Sequence, residues 1–411
     1  MHSFTLLVAA VVAAGLALDY WLLLRQQRHV ARHRNAVPEP FRDRVTLDEH
    51  QRAADYTLAK IRPTWLELPW GVILLLLWLG GGIALLDQWL AAVLHQPLLH
   101  GTALILTVLL VSTLLELPFS LYRVFGIESR FGFNRTTAGR FALDLLLQFG
   151  LLLLLGGALI GLILWLMISL GSWWWLAAWL VWSLFSLLLM WLFPTVIAPL
   201  FNRFTPLPEG PLRERIEQLL ARCGFRSQGI FVMDGSRRSS HGNAYFSGMG
   251  AAKRIVFFDT LLEKLQPDEV EAVLAHELGH YHHKHIRNLL LLSFASSLLL
   301  FALIGWTLTQ PWFYSGLGIT NANPATSLLL LLLLLPYFTR FSQPLMAWYQ
   351  RRNEFQADRF AAQQSGAEPL IQALLKLYRD NAATLTPDPL YSAFHDSHPP
   401  APLRIAHLRE L

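Results

Sequence analysis

The sequence predicts an all-α multi-pass membrane protein of seven transmembrane helices, with a small α+β unit held on one side of the bilayer. Three observations carry that prediction. Of the 411 residues, 54% are hydrophobic and 15% charged, with mean hydropathy +0.39, which is too little charge to cover the Leu-rich stretches of a soluble fold. Seven apolar runs reach the length of about 20 helical residues that crosses roughly 30 Å of hydrocarbon. The Lys and Arg residues fall only in alternate connections, the pattern produced when positive loops stay on the cytoplasmic side.

The spans are placed near 3 to 24, 66 to 86, 101 to 121, 143 to 168, 173 to 193, 288 to 308 and 326 to 348. The first lacks a basic leading region and precedes a basic loop, as in a retained anchor rather than a cleaved signal peptide. Residues 25–64 hold nine Lys and Arg, 122–142 four, 194–287 twelve and 340–411 eight, which accounts for all 33 in the chain. The connections 87–100, 169–172 and 309–325 hold none. An odd number of spans with the N-terminus outside follows, and it puts 194–287 and the C-terminal tail together on the cytoplasmic side. Orientation thus explains the net charge of +5, and nucleic acid is not expected as a partner. The lone Cys223 excludes an intramolecular disulfide and fits polar parts in a reducing compartment. No histidine or basic residue is patterned around it as a nucleophile would need, so it reads as a bystander.

Four parts are expected: 1–193 with helices one to five, 194–287 as a cytoplasmic unit, 288–348 with helices six and seven, and 349–411 as a C-terminal part. Within 194–287, PLRERIEQLLARCGF predicts an amphipathic helix ending at Gly224. GIFVMD and RIVFFD predict short strands, and NAYFSG between them suggests a small antiparallel sheet or hairpin. QPDEVEAVLAHELGHYHHKH predicts a helix, with Pro267 at an early position and Asp268, Glu269 and Glu271 complementing its N-terminal dipole.

On that helix, AHELGH sets His276 and His280 four residues apart, so both imidazoles leave one face and can grip one metal ion. Glu277 beside them can take a proton from a water that the metal acidifies. A catalytic metal of this kind needs a third protein ligand and an open position. In RRNEFQADRF, after the seventh span, Glu354 is the candidate, with Asp358 one helical turn on. Either Glu354 completes the site while Asp358 orients a ligand imidazole, or both are solvated surface acids paired with Arg351, Arg352 or Arg359. His282, His283 and His285 read as a wet helix end at the membrane surface rather than spare ligands, and Trp173 to Trp175 as interfacial anchors.

These residues lie in segments whose combination resembles the integral-membrane CAAX prenyl protease 1 family of zinc metalloendopeptidases. The resemblance runs through LELPFSLYRVFGIESRFGFNRTT, HGNAYFSG (241 to 248), AHELGHYHHKH (275 to 285), NEFQADRFA (353 to 361) and FHDSHPPAPLRI (394 to 405), in the family's order. A bare His-Glu-x-x-His is shared with many metalloproteases; the FGFN stretch and the SHPP tail are what single out this family.

The resemblance implies one Zn2+ per chain held by His276, His280 and Glu354, with Glu277 as general base and Asp358 supporting a ligand histidine. It implies that Asn243 holds the substrate as an added strand, that His398 donates to the oxyanion, and that Arg404 is a substrate-side tail residue near the site. The seven helices would surround a large intramembrane chamber with the zinc at its cytoplasmic side. The implied partners are the lipid bilayer and a peptide or protein substrate, in the family a peptide ending in a prenylated cysteine from which the last three residues are removed. A quality-control protease acting on misfolded or stalled membrane proteins is the alternative, and a transporter or inactive scaffold with structural zinc is the less favoured one. The membrane would be the inner membrane of a bacterium or the endoplasmic reticulum of a eukaryote.

Overall fold

The computed structural model describes residues 3–247, 254–319 and 322–411. Five long apolar helices come first: α1 (Ser3–His33), α2 (Leu47–Ala91), α3 (Pro97–Glu128), α4 (Ala138–Ser169) and α5 (Gly171–Phe201). Next comes a compact unit with strand β1 (Phe204–Pro206), helix α6 (Pro211–Arg222), strands β2 (Gly229–Met233), β3 (Ala244–Ser247) and β4 (Arg254–Phe258), and helix α7 (Pro267–His282). Two further spans follow, α8 (His285–Thr307) and α9 (Pro324–Ser365). The chain ends in α10 (Ala367–Asp380), α11 (Pro389–His395) and α12 (Ala401–Arg409).

Seven helices are long and apolar enough to cross a membrane, and several outrun their apolar cores. Helix α2 begins at Leu47, behind a Thr46 and Glu49 capping box, well before its apolar run; its first turns are therefore polar and project from the bilayer. Helix α9 carries a 3₁₀ turn at Arg340–Ser342. Pro344 follows it and has no N–H to give the carbonyl of residue 340, so the regular ladder breaks there. Leu104, Ile105 and Val108 of α3 pack with Leu164 of α4 and Leu329 and Leu330 of α9, while Leu85, Leu154 and Leu299 point outward at 69–73% exposure, as lipid-facing residues do.

The sheet differs from the expectation. Its order is β1-β2-β4-β3, and GIFVM pairs with RIVFF in parallel, Ile230 opposite Ile255. The connection between Met233 and Arg254 is long enough for the crossover that parallel pairing needs. NAYFS supplies β3 on the return, antiparallel to β4 and at the sheet edge; Gly248, the last residue of HGNAYFSG, lies outside the described residues. Strand β1 was not anticipated, because three residues ending in proline carry no strand signal.

One hydrophobic core binds this unit to the tail: Ile216 and Leu219 of α6, Phe257 of β4, Leu274 and Leu278 of α7, Ala361 of α9, Leu374 of α10 and Ile405 of α12. Each large buried aliphatic or aromatic side chain contributes about 1.5–3 kcal/mol. Packing of this strength, rather than lipid, fixes α7 against the C-terminal end of α9.

Candidate metal centre and active site

Helix α7 starts with Pro267 at its first turn and a capping box in which Glu269 accepts from the Gln266 backbone N–H at 2.7 Å. Its far end crosses α9 at Gly279. A Cβ there would stand 2.8 Å from Ala357 Cα and 3.1 Å from Ala357 O, so only glycine permits this approach. Residues one turn either side of the crossing are thereby brought together. His276, His280 and Glu354 each offer a ligand atom, all within 4.8 Å of one another. Glu354 oxygens lie 3.4 Å from His276 Nε2 and 3.2 Å from His280 Nε2. Glu354 and Asp358 are 5% and 0% exposed, and Arg351 donates to the backbone carbonyls of Ser392, Ala393 and Asp396. The reading of the two acids as solvated surface residues therefore fails.

Hydrogen bonds behind the rings assign the tautomers. The Nδ1–H of His276 donates to Asp358 at 2.8 Å, leaving Nε2 bare. On the other histidine, Gln356 Oε1 accepts from His285 Nε2 at 2.8 Å, so His285 Nδ1 accepts from His280 Nδ1 at 3.1 Å, and His280 Nε2 is bare as well. In that neutral tautomer the two Nε2 atoms face each other at 3.3 Å, beside Glu354 Oε2, which lies 3.4 Å from His276 Nε2 and 3.6 Å from Arg404 Nη1. Lone pairs converging in this way call for a cation, and two imidazoles with one carboxylate and an open side are the donor set of a catalytic divalent metal site. His285 corrects the wet-end expectation. It is 3% exposed, because α7 breaks at Lys284, in the left-handed region at φ 59°, and the chain turns His285 back under His280. His282 and His283 remain exposed.

The charges reinforce this picture. Burial and the Arg404 guanidinium disfavour a charge on His276, but hydrogen bonds with Asp358 and Glu354 outweigh them and raise its pKa to about 9. A proton therefore takes the cation's place when no metal is bound. Asp358 is buried against Arg404 and His276. Glu277 is raised above the ordinary carboxylate value, chiefly by burial, with the two histidines opposing.

The tail closes over the site. His398 Nε2 stands 3.4 Å from Glu354, and its Nδ1 pairs with Ser397 Oγ at 3.0 Å. Arg404 is buried and grips Asp358 with two nitrogens at 2.8 and 2.5 Å, behind the metal-facing nitrogens. Asn243 is exposed at the head of edge strand β3, its carbonyl accepting from Phe258 N–H at 3.0 Å. The FGFN stretch holds this strand's approach: Ser240 N–H donates to the Phe133 carbonyl, Arg135 N–H to the Arg238 carbonyl, and Phe133 stacks on His241 with centroids 4.4 Å apart. Cys223 is half-buried, its thiol pKa raised by desolvation, which suits no nucleophile.

Comparison with known proteins agrees with the geometry. The family described as CAAX prenyl protease N-terminal, five membrane helices, matches residues 26–203, and peptidase family M48 matches 206–411. The CAAX prenyl protease 1 homolog of Oryza sativa is 34% identical over 95% of this chain and 94% of its own. CAAX prenyl protease 1 of Saccharomyces cerevisiae is 34% identical over 72% of this chain and 69% of its own. The crystal structure of S. mikatae Ste24p superposes with a TM-score of 0.92, covering 99% of each chain at 29% identity. The chain belongs to peptidase family M48 and, within it, to the CAAX prenyl protease 1 family: it is a multi-pass membrane metalloendopeptidase acting on a peptide or protein.

Proposed function

We propose that His276, His280 and Glu354 hold one zinc ion, that Glu277 is the general base, and that the enzyme removes the last residues from a peptide ending in a prenylated cysteine motif. One observation carries the metal assignment: ligand atoms from two stretches of chain on either side of two membrane spans lie within 4.8 Å. The name shared by the curated relatives, CAAX prenyl protease 1, supports the substrate class.

When bound, zinc supplies Lewis acidity to the scissile carbonyl and to the attacking water. Glu277 takes that water's proton and returns it to the leaving amine. His398, exposed on the site's open side, donates from Nε2 to the developing oxyanion. Asp358 and Arg404 position His276, and Arg404, buried and bonded to Asp358, also stands 3.6 Å from Glu354 Oε2. The substrate backbone adds to the free edge of β3 beside Asn243, a mode that reads main chain more than side chains. The one-sided Lys and Arg distribution supports a cytoplasmic location for this chemistry.

Two measurements test the reading. The purified protein in detergent should carry one zinc per chain; Glu277→Gln should keep that zinc and lose cleavage, and full activity in this variant refutes the base. A farnesylated peptide should be cleaved in preference to its unmodified twin, and a chelator should stop both. Equal cleavage of the two peptides refutes lipid-directed processing and favours quality control, which sequence-tolerant strand addition also permits.

A further inference from the structure

Next to the metal site lies a cavity of about 600 Å³. Part of its lining is the tail, including Asp396 and His398, which joins it to the metal site through the approach of His398 to Glu354. Another part is Lys60 and Thr64 of α2 with Arg123 of α3. Most charges here are already satisfied. Arg123 is paired with Glu67 and donates to Thr64 at 3.2 Å, and Asp396 is hydrogen-bonded by Ser392. Glu128, whose charge acts on Lys60, accepts from Tyr56 at 2.5 Å and meets His241 at 3.4 Å.

Lys60 is the exception. Its Nζ lies 4.1 Å over the Tyr56 ring, and among the described residues it has no hydrogen bond or salt bridge. It is only half-exposed. An ammonium with three donors, partly withdrawn from water and left without an acceptor, is expensive unless an anion comes to it.

We propose that this cavity takes the carboxyl-terminal end of the substrate and that Lys60 pairs with its terminal carboxylate. The inference rests on the processing function proposed above. A peptide whose scissile bond lies at the metal site sends the residues beyond that bond past His398 into the cavity. The volume sits within the range of about 300–1,000 Å³ typical of small-molecule pockets, enough for a few extended residues and too small for a folded segment. The chain must end there, and its new neighbour is a cation. Lys60 thereby selects a free carboxyl terminus over an internal sequence.

The test compares a substrate peptide with its C-terminally amidated twin, using the full-length protein with zinc in detergent. The free acid should be cleaved with kcat/KM roughly 10- to 100-fold higher, the size of one charge-assisted hydrogen bond, and the difference should lie in KM. Lys60→Met should bring the acid down to the level of the amide while leaving amide cleavage unchanged, and Lys60→Arg should keep the preference. Amide cleavage in Lys60→Met reports that the variant is folded; if it is lost, the acid-to-amide ratio of Lys60→Arg and wild type decides. Wild-type enzyme that cleaves acid and amide equally overturns the inference and leaves the protease reading standing. Cleavage of neither peptide overturns both.

Discussion

Gly279→Ala isolates the geometric idea that the crossing of α7 and α9 builds the metal site. The added Cβ would lie 2.8 Å from Ala357 Cα, 3.1 Å from its carbonyl oxygen and 3.2 Å from its Cβ. Carbon atoms settle at about 3.5–4.0 Å, so the helices must separate by roughly 1 Å. The obstruction is backbone, so no side-chain rotation relieves it. Overpacking of this size costs about 1–3 kcal/mol, lowering the apparent Tm moderately. His280 is the next residue on α7, and Glu354 lies one turn before Ala357 on α9, so the same displacement enters the ligand set directly. A shift of that size at a metal ligand should weaken binding by at least the ~10- to 100-fold typical of losing an outer-shell partner. The assay is zinc competition against a chelator, alongside thermal unfolding of the metal-free protein and peptide cleavage. Adding Ala357→Gly removes the Cβ contact but leaves Cα and carbonyl in place, so the double variant should stay impaired. Wild-type zinc affinity and activity in Gly279→Ala would refute the claim that this close approach sets the site.

Asp358→Asn keeps the shape but weakens the acceptor for His276 Nδ1, and zinc affinity should fall ~10- to 100-fold, read by the same competition. His285→Phe removes the acceptor for His280 Nδ1 while roughly keeping volume; zinc affinity should fall by a similar factor with little change in Tm, and an unchanged affinity would show that the Gln356, His285 and His280 chain positions nothing. Zinc binding should also depend on pH. The metal-free site holds a proton on His276 below about 9, and zinc must displace it, so apparent affinity should fall about tenfold per pH unit from 8.5 to 6.5. Calorimetry in buffers of different ionisation enthalpy should detect about one proton released at pH 7.5, and an affinity independent of pH would contradict the protonated resting site.

Legibility in the sequence followed the range of the signal. The seven spans and the metal-binding face of α7 rest on local composition and on the four-residue spacing of His276 and His280, which any helix converts into adjacency. Glu354 and Asp358 were recognisable as one face of α9, but their burial depended on the core formed by Leu278, Ala361 and Ile405, contacts that no local pattern records. The sheet was misjudged for the same reason: whether RIVFF lies parallel or antiparallel to GIFVM is decided by where the intervening chain crosses, a tertiary matter. His285 was misread because a helix drawn through HYHHKH puts it on the wet side, whereas the left-handed Lys284 resets the rotation. A lysine between HH and H gives no hint of positive φ, which is uncommon for any residue with a side chain.

The two histidines proposed as ligands are oriented by different means, and the difference has a consequence. His276 is backed by a carboxylate that is itself locked by a buried arginine, so its Nδ1–H sits against a full negative charge. His280 is backed by a neutral ring and an amide, which fix its tautomer without adding charge. Backing by a carboxylate makes the imidazole a stronger donor to a metal but also a better proton acceptor when the metal leaves; backing by a neutral acceptor does neither. The site therefore pairs a histidine backed by a carboxylate with one backed by a neutral ring, next to Glu354. A second carboxylate behind His280 would add a negative charge to the site of Glu277, whose pKa is already raised by burial, and should push it higher still. Gln356 keeps that position neutral. Replacing it with Glu should strengthen zinc retention while shifting the acidic limb of the kcat/KM profile to higher pH, because the base is then protonated over a wider range. A profile that moves to lower pH, or not at all, would show that Gln356 is too far from Glu277 in electrostatic terms for its neutrality to matter.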